Sequence, residues 1–315
     1  MLRAYDYVEN TVDRDAIQKT ERFNDELKLA RRAVEHSAKV EIENDIICPG
    51  CESRKVSVFF CKWNVAFLRC EECGTIFVPV DNDTLFNYQN DKDLMSFRTS
   101  EEYQLEAKEK RMFSWQEILD WIIFRCYRYL GKKENLYIAT GGDRYIAFSN
   151  LIKQSALCGN YKNIKDVQAN EADIAISLNL IHQKNSPSKH LLELNKVLKK
   201  DGLLFLSARI GTGFDILALK EYSYIYPYDY ISLLSKNALE KRLNEAGFEL
   251  LDYSTPGCMD VSTVWKKQAF IANNESFIKT LMRECDERAL GEFQRFLQKT
   301  GMSSYAHIVA KKVEG

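Results

Sequence analysis

The chain has 315 residues, 45% hydrophobic and 28% charged, with 44 basic and 45 acidic side chains and a net charge of −1. Such proportions suit a soluble globular protein, and the length asks for two folded units rather than one small core. Lys and Arg are scattered without a block of like sign, which excludes an electrostatic footprint for nucleic acid or an anionic membrane surface.

In chain order, residues 13 to 37 read as a helix, with Phe23, Leu27, Ala30 and Val34 at helical spacing among charges. This thin stripe suits docking on the body of the protein or on a second subunit. Met1 to Asp15 is polar and acidic, with no apolar leader segment. No apolar run approaches the ~20 residues needed to span a bilayer, so membrane insertion is not expected.

Cys48-Pro-Gly-Cys51 and Cys70-Glu-Glu-Cys73 come next. Two Cys-x-x-Cys pairs at this separation have the ligand spacing of a tetrahedral zinc site. Val56 to Phe60, Ala66 to Leu68 and Thr75 to Val78 read as the strands of a zinc ribbon, with Gly74 turning the backbone after Cys73. A unit this small depends on its metal for stability. The other five cysteines, Cys61, Cys126, Cys158, Cys258 and Cys285, are isolated in sequence, so the odd total of nine suggests a reducing cytoplasm rather than a disulfide framework.

Asp81 to Ser100 reads as a polar linker, and Ser114 with Glu117 as the capping box of a helix closed by Gly131. From Leu136 onward, strands alternate with helices. Strands are expected at Leu136 to Thr140, Ala172 to Ser177, Leu203 to Ser207, Glu249 to Tyr253 and Ala306 to Lys311. Helices are expected from Arg144 to Lys153, after Ser186-Pro187, and from Ser235 to Gly247. This alternation predicts an α/β sheet with helices on both faces.

The ribbon, the segment Leu191 to Leu206, and the run from Gly213-Phe-Asp-Ile-Leu through Tyr226-Pro-Tyr-Asp-Tyr230 to Ser254-Thr-Pro-Gly-Cys-Met-Asp-Val261 carry a resemblance. Together they resemble a family of zinc-ribbon-containing, S-adenosylmethionine-dependent class I methyltransferases, many of which act on sugars in polysaccharide or natural-product pathways. The resemblance implies an α/β, Rossmann-like class I methyltransferase sheet preceded by an N-terminal helix and a small zinc ribbon. The implied organisation is a helical arm over 1–44, a ribbon over 45–80, a linker and connecting helix over 81–134 and a Rossmann domain over 135–315. It also implies structural zinc on Cys48, Cys51, Cys70 and Cys73, S-adenosylmethionine as cofactor, and a sugar or nucleotide-sugar acceptor. Nucleic acid is not implied, since the ribbon's charges balance. A protein partner or a second copy could dock through the N-terminal helix.

In this fold the first strand ends in a glycine turn that lets the backbone approach the cofactor. Here the turn reads Ala139-Thr-Gly-Gly-Asp143, which makes Thr140, Gly141, Gly142 and Asp143, with Asn179 after a neighbouring strand, the expected cofactor contacts. The family's second strand, ending in a ribose-binding acid, finds little room between Gln154 and Ala172. Two outcomes follow: a shortened pocket that still binds cofactor, or a catalytically inactive relative that serves binding or assembly. His182 is the candidate general base, with Asp229 and Tyr230 as second candidates. Tyr224, Tyr226 and Tyr228 belong to an every-second-residue tyrosine row that, if extended, would stack a sugar or pack as a half-buried strand. Asp260 is a candidate for binding an acceptor hydroxyl or for capping a turn.

Overall fold

The computed structural model describes residues 21–37, 46–132, 134–142 and 146–313. Its main body is a six-stranded sheet in the order β5-β4-β6-β7-β10-β9. The strands are β4 (Leu136–Thr140), β5 (Cys158–Asn163), β6 (Ala172–Leu178), β7 (Leu198–Arg209), β9 (Phe248–Ser254) and β10 (Tyr305–Lys312). The pairs β5-β4, β4-β6 and β6-β7 are parallel, whereas β10 runs antiparallel to both β7 and β9.

Side chains alternate across this sheet, and each face has its own helices. On β7, Leu204 and Leu206 face a core with Leu191 and Leu194 of α6 (Pro187–Val197) and Leu239 and Leu243 of α8 (Lys236–Glu245). Leu203 and Phe205 face the opposite core, with Leu119, Ile122 and Cys126 of α4 (Glu101–Leu130) and Ile152 of α5 (Ile146–Gln154). The expected Rossmann-like sheet with helices on both faces is therefore present.

Four elements depart from expectation. The polar stretch after the ribbon is not a linker. It forms α2 (Asn82–Gln89) and α3 (Lys92–Thr99), capped by the carboxylates of Asp81 and Asp91. Ser114 does not start a helix; α4 begins at Glu101, capped by Ser100, because the strongly helix-forming run after it contains no breaker. Gly131 ends α4 in the left-handed conformation, as expected. The strand β5 was not expected, and the tyrosine segment is a turn rather than an extended row: Tyr230 N–H donates to the Tyr226 carbonyl, and Tyr228 sits at φ 65°.

The ribbon strands β1 (Val56–Lys62), β2 (Val65–Cys70) and β3 (Ile76–Phe77) form an antiparallel sheet. This sheet is completed by β8 (Ser232–Leu233), with Ile76 opposite Leu233 and Phe77 opposite Ser232. Behind it a second core gathers Phe60, Phe67 and Ile76, Leu85 and Tyr88 of α2, Leu94 of α3, and Ile225, Tyr228 and Ile231. Ala30, Ala33 and Val34 of α1 (Glu21–Ser37) belong to the same core, so the described part of the N-terminal helix buries its stripe on its own chain. The expected start of this helix at residue 13 lies outside the described residues. Helices α7 (Phe214–Leu219), α9 (Asp260–Lys266), α10 (Ser276–Glu284) and α11 (Glu287–Thr300) close over the remaining side. Among the described residues no helix is long and apolar enough to cross a membrane.

Candidate functional site

The four ribbon cysteines converge. The Sγ atoms of Cys48, Cys51, Cys70 and Cys73 all lie within 4.8 Å of one another. Cys48 and Cys73 are 3.6 Å apart and Cys51 and Cys70 3.5 Å. A tetrahedron with metal–sulfur bonds of 2.3 Å has edges of about 3.8 Å, so the cage fits zinc. Gly50 N–H donates to Cys48 Sγ at 3.3 Å, and the Thr75 hydroxyl lies 3.1 Å from Cys73 Sγ. These contacts suit thiolates, whose charge needs donors. A Cβ at Gly50 would lie 2.5 Å from Thr75 Oγ1, so only glycine permits this approach.

At the carboxyl end of β4 the backbone passes through Thr140 into the glycine turn. Gly141 N–H still bonds the Ile176 carbonyl of β6 at 2.9 Å, and the Thr140 hydroxyl accepts from Gly142 N–H at 3.3 Å. Gly142 adopts φ 146°, which side-chain-bearing residues avoid. Gly141 is tight from behind: a Cβ there would lie 3.2 Å from the His190 ring and 3.3 Å from Ser177 Oγ. Ser177 and His190 are buried and hydrogen-bonded at 2.8 Å. Burial, with help from the Lys184 charge, pushes the His190 pKa down to about 4, so the ring that supports the turn is neutral.

Asn179 stands beside this turn at the end of β6, at φ 56°, with its N–H held by the Ser207 carbonyl at 2.9 Å. Leu180, next in the chain, packs on Gly142 at 3.4 Å from where a Cβ would be. The structure thus brings Thr140, Gly141, Gly142 and Asn179 to one end of the sheet; Asp143 lies outside the described residues. The unexpected strand β5 ends at Asn163, whose side chain accepts from Lys165 N–H at 3.0 Å. An amide therefore stands at the end of the strand next to β4, where the resemblance implies an acid.

His182 is 3% exposed in a short turn after β6 and stacks on Tyr230, with ring centroids 4.9 Å apart. Its Nδ1 accepts from Arg209 N–H at 3.3 Å, which leaves the proton of the neutral ring on Nε2. In that tautomer Nε2 is a donor and not a base. Asp229 is held by both ends of the Arg98 guanidinium. Asp260, 2% exposed, accepts from Ser303 Oγ, Ser304 N–H and Gln294 Nε2, and so pins the loop before β10. Tyr228 is a core side chain, 1% exposed, set edge-on to Tyr88. The turn breaks the tyrosine row: Tyr224 packs edge-on to Phe23, and Tyr226 stacks on Trp63.

Two lysines that sequence reasoning passed over meet this tyrosine segment. Lys62, the last residue of β1, donates to the Ser223 carbonyl at 2.6 Å and lies 4.5 Å from the centre of the Tyr226 ring. Lys267, just past α9, donates to the Tyr222 carbonyl at 2.7 Å and lies 3.5 Å from the centre of the Tyr224 ring. Neither carries a sequence signal, since they are 205 positions apart and each is one lysine among many.

The strand order, the antiparallel β10 and the helices on both faces define a Rossmann-like class I methyltransferase architecture. A family model described as a methyltransferase domain matches residues 92–253, just over half of the chain, and the chain belongs to that family. No curated protein matches the sequence. Among similar solved structures is a geranyl diphosphate methyltransferase in complex with GPP and sinefungin. It is 12% identical, with 68% of this chain and 84% of that one covered at a TM-score of 0.40. Another is an S-adenosylmethionine dependent methyltransferase from Mesorhizobium loti, 9% identical, with 56% and 91% covered at a TM-score of 0.32. A phospholethanolamine N-methyltransferase from Haemonchus contortus, bound to S-adenosylhomocysteine, is 13% identical, with 60% and 46% covered at a TM-score of 0.35. Likenesses this distant identify no substrate.

Proposed function

We propose that this chain is an S-adenosylmethionine-dependent methyltransferase acting on a sugar or nucleotide-sugar acceptor. The observation that carries the reading is the glycine turn after β4. Gly142 at φ 146° and Gly141 packed on Ser177 bring bare backbone to the carboxyl end of a parallel strand, beside Asn179 of the neighbouring one. Cofactors of this fold bind at that end. Family membership supports the same reading.

In this proposal Thr140, Gly141, Gly142 and Asn179 hold the cofactor, which supplies an electrophilic methyl group on a sulfonium. The protein's part is then to bring the acceptor into line and to exclude water. Tyr230, fixed by the ring of His182, is the group set to orient an acceptor hydroxyl. Asp229 and Asp260 are assigned to holding loops rather than to proton transfer, because their oxygens already accept strong bonds. Zinc in the ribbon is structural, with four protein thiolates and no open position. We also propose four parts for the chain: an arm over 1–44, the ribbon over 45–80, a connecting helical segment over 81–134 and the Rossmann domain over 135–315. Nine free cysteines suit a reducing, cytoplasmic setting.

Titration calorimetry of the zinc-loaded protein with S-adenosylmethionine tests the reading. Micromolar binding supports it. No heat at millimolar ligand would leave only the inactive relative, a fold retained for binding or assembly.

A further inference from the structure

The two lysines at the tyrosine segment share an unusual condition. Each is half-buried, and each gives one of its three ammonium donors to a backbone carbonyl of the same segment. Among the described residues neither has a carboxylate within ion-pair distance. The nearby acids are committed or only graze the pair. Asp215, whose charge acts on Lys267, is held by Arg209 at 2.7 Å. Glu221 acts on Lys62 through space and makes no bond to it. Asp229 is engaged by Arg98, and Lys220 of the same segment stands 4.0 Å from Glu275.

Two cations therefore face one loop with no carboxylate in direct contact, and both are disfavoured as they stand. Burial, and then the Lys267 charge, push the Lys62 pKa down to about 7. Burial pushes the Lys267 pKa down to about 8. Like charges brought close in a low-dielectric setting repel, and an anion between them reverses that term. The flanking rings of Tyr224 and Tyr226, themselves half-buried, would pack against the body of such a ligand. The loop is continuous with the end of the main sheet through Tyr230, which stacks on His182 after β6.

We propose that Lys62, from the ribbon, and Lys267, from the end of α9, form an oxyanion-binding site that takes a phosphate or carboxylate group of the acceptor. That the oxyanion belongs to an acceptor rests on the methyltransferase reading; the site itself does not. Ammonium groups bind such oxygens as point charges, without the planar fork of arginine, so the two lysines accept either chemistry. The ribbon thereby becomes part of the ligand site as well as part of the scaffold.

The test titrates full-length, zinc-loaded protein with inorganic phosphate, inorganic sulfate and acetate by calorimetry. Saturable binding is expected for at least one probe, weakened about tenfold or more in Lys62→Met and in Lys267→Met, equivalent to about 1.4 kcal/mol or more. Preference for phosphate and sulfate assigns a phosphoryl ligand; equal or better binding of acetate assigns a carboxylate. A second readout needs no variant. At pH 8 sulfate or acetate binding should take up protons, because a bound anion raises both amine pKa values and neither probe titrates there. S-adenosylhomocysteine binding by the two variants serves as the folding control. If the wild type binds an oxyanion but not S-adenosylhomocysteine, the methyl-donor reading falls and the lysine site stands. The site is overturned if no probe saturates by about 100 mM, if both variants bind as the wild type does, or if binding takes up no proton.

Discussion

Arg98 grips Asp229 through two parallel hydrogen bonds, 3.1 and 2.7 Å long, and reaches Glu26 at 2.8 Å with its third edge. One guanidinium thus ties α1, α3 and the tyrosine turn together. The side chains of Arg98 and Asp229 are 16% and 13% exposed, so the pair is only partly screened by water.

Asp229→Asn should lower the unfolding free energy by about 2 kcal/mol, the range for a hydrogen bond to a charged group. Arg98→Met should cost more, about 3 kcal/mol, because it leaves two acids in a shielded place. Urea unfolding of the three proteins checks this order. If Asp229→Asn keeps full stability and loses methyl transfer, Asp229 acts in the chemistry and not in the scaffold.

The thiolate cage predicts about one zinc per chain by metal analysis, lost in a Cys70→Ser, Cys73→Ser variant. Structural zinc contributes about 10–16 kcal/mol to a site of this kind. Removal by a chelator should disturb the tyrosine turn too, since Val78 N–H bonds the Ile231 carbonyl at 2.9 Å next to the β3–β8 pair. A near-ultraviolet signal from those rings that survives complete zinc removal would contradict the coupling.

Gly142→Ala places a Cβ on a backbone at φ 146° and should cost about 1–3 kcal/mol. Its affinity for S-adenosylhomocysteine should fall more than tenfold. Gly141→Ala presses on His190 and Ser177 and should destabilise without the same strain in the turn. Wild-type affinity in Gly142→Ala would remove the turn from the cofactor site.

His190 gives a pH dependence. Its pKa is about 4 when folded, against the ordinary histidine value of 6.5, so between those values the unfolded chain binds the extra proton. Its contribution is therefore fully present above pH 6.5 and is lost as the pH falls toward 4, an effect of order 3 kcal/mol. His190→Gln, which keeps a partner for Ser177, should flatten the stability profile across that window. An unchanged slope would mean that other groups dominate acid unfolding.

The parts legible in the sequence were those whose physics is local. Ligand spacing fixes Cys48 to Cys73, and Ser186-Pro187 and Ser235 start α6 and α8 through caps that need only their own turn. The strand β5 was hidden because Cys158-Gly-Asn-Tyr-Lys-Asn163 has no apolar alternation; among the described residues it pairs with β4 alone, at the sheet edge. The ion pair of Asp229, the hydrogen bonds of Asp260 and the core position of Tyr228 were not legible, because burial and partners cannot be read from residue type. The pairing of Lys62 with Lys267 was invisible for the same reason, since it exists only once the ribbon has closed on the loop after α7.

The sharing of one sheet by β1, β2, β3 and β8 also bears on how the chain is made. When the first unit leaves the ribosome, the outer edge of Ile76–Phe77 has open backbone groups, and Ser232–Leu233 has not yet been translated. Naked edges invite pairing with other chains. For about half of its synthesis the ribbon therefore lacks its fourth strand and the side chains of Ile225, Tyr228 and Ile231 that fill the core behind it, so the N-terminal third of the chain alone is an incomplete unit.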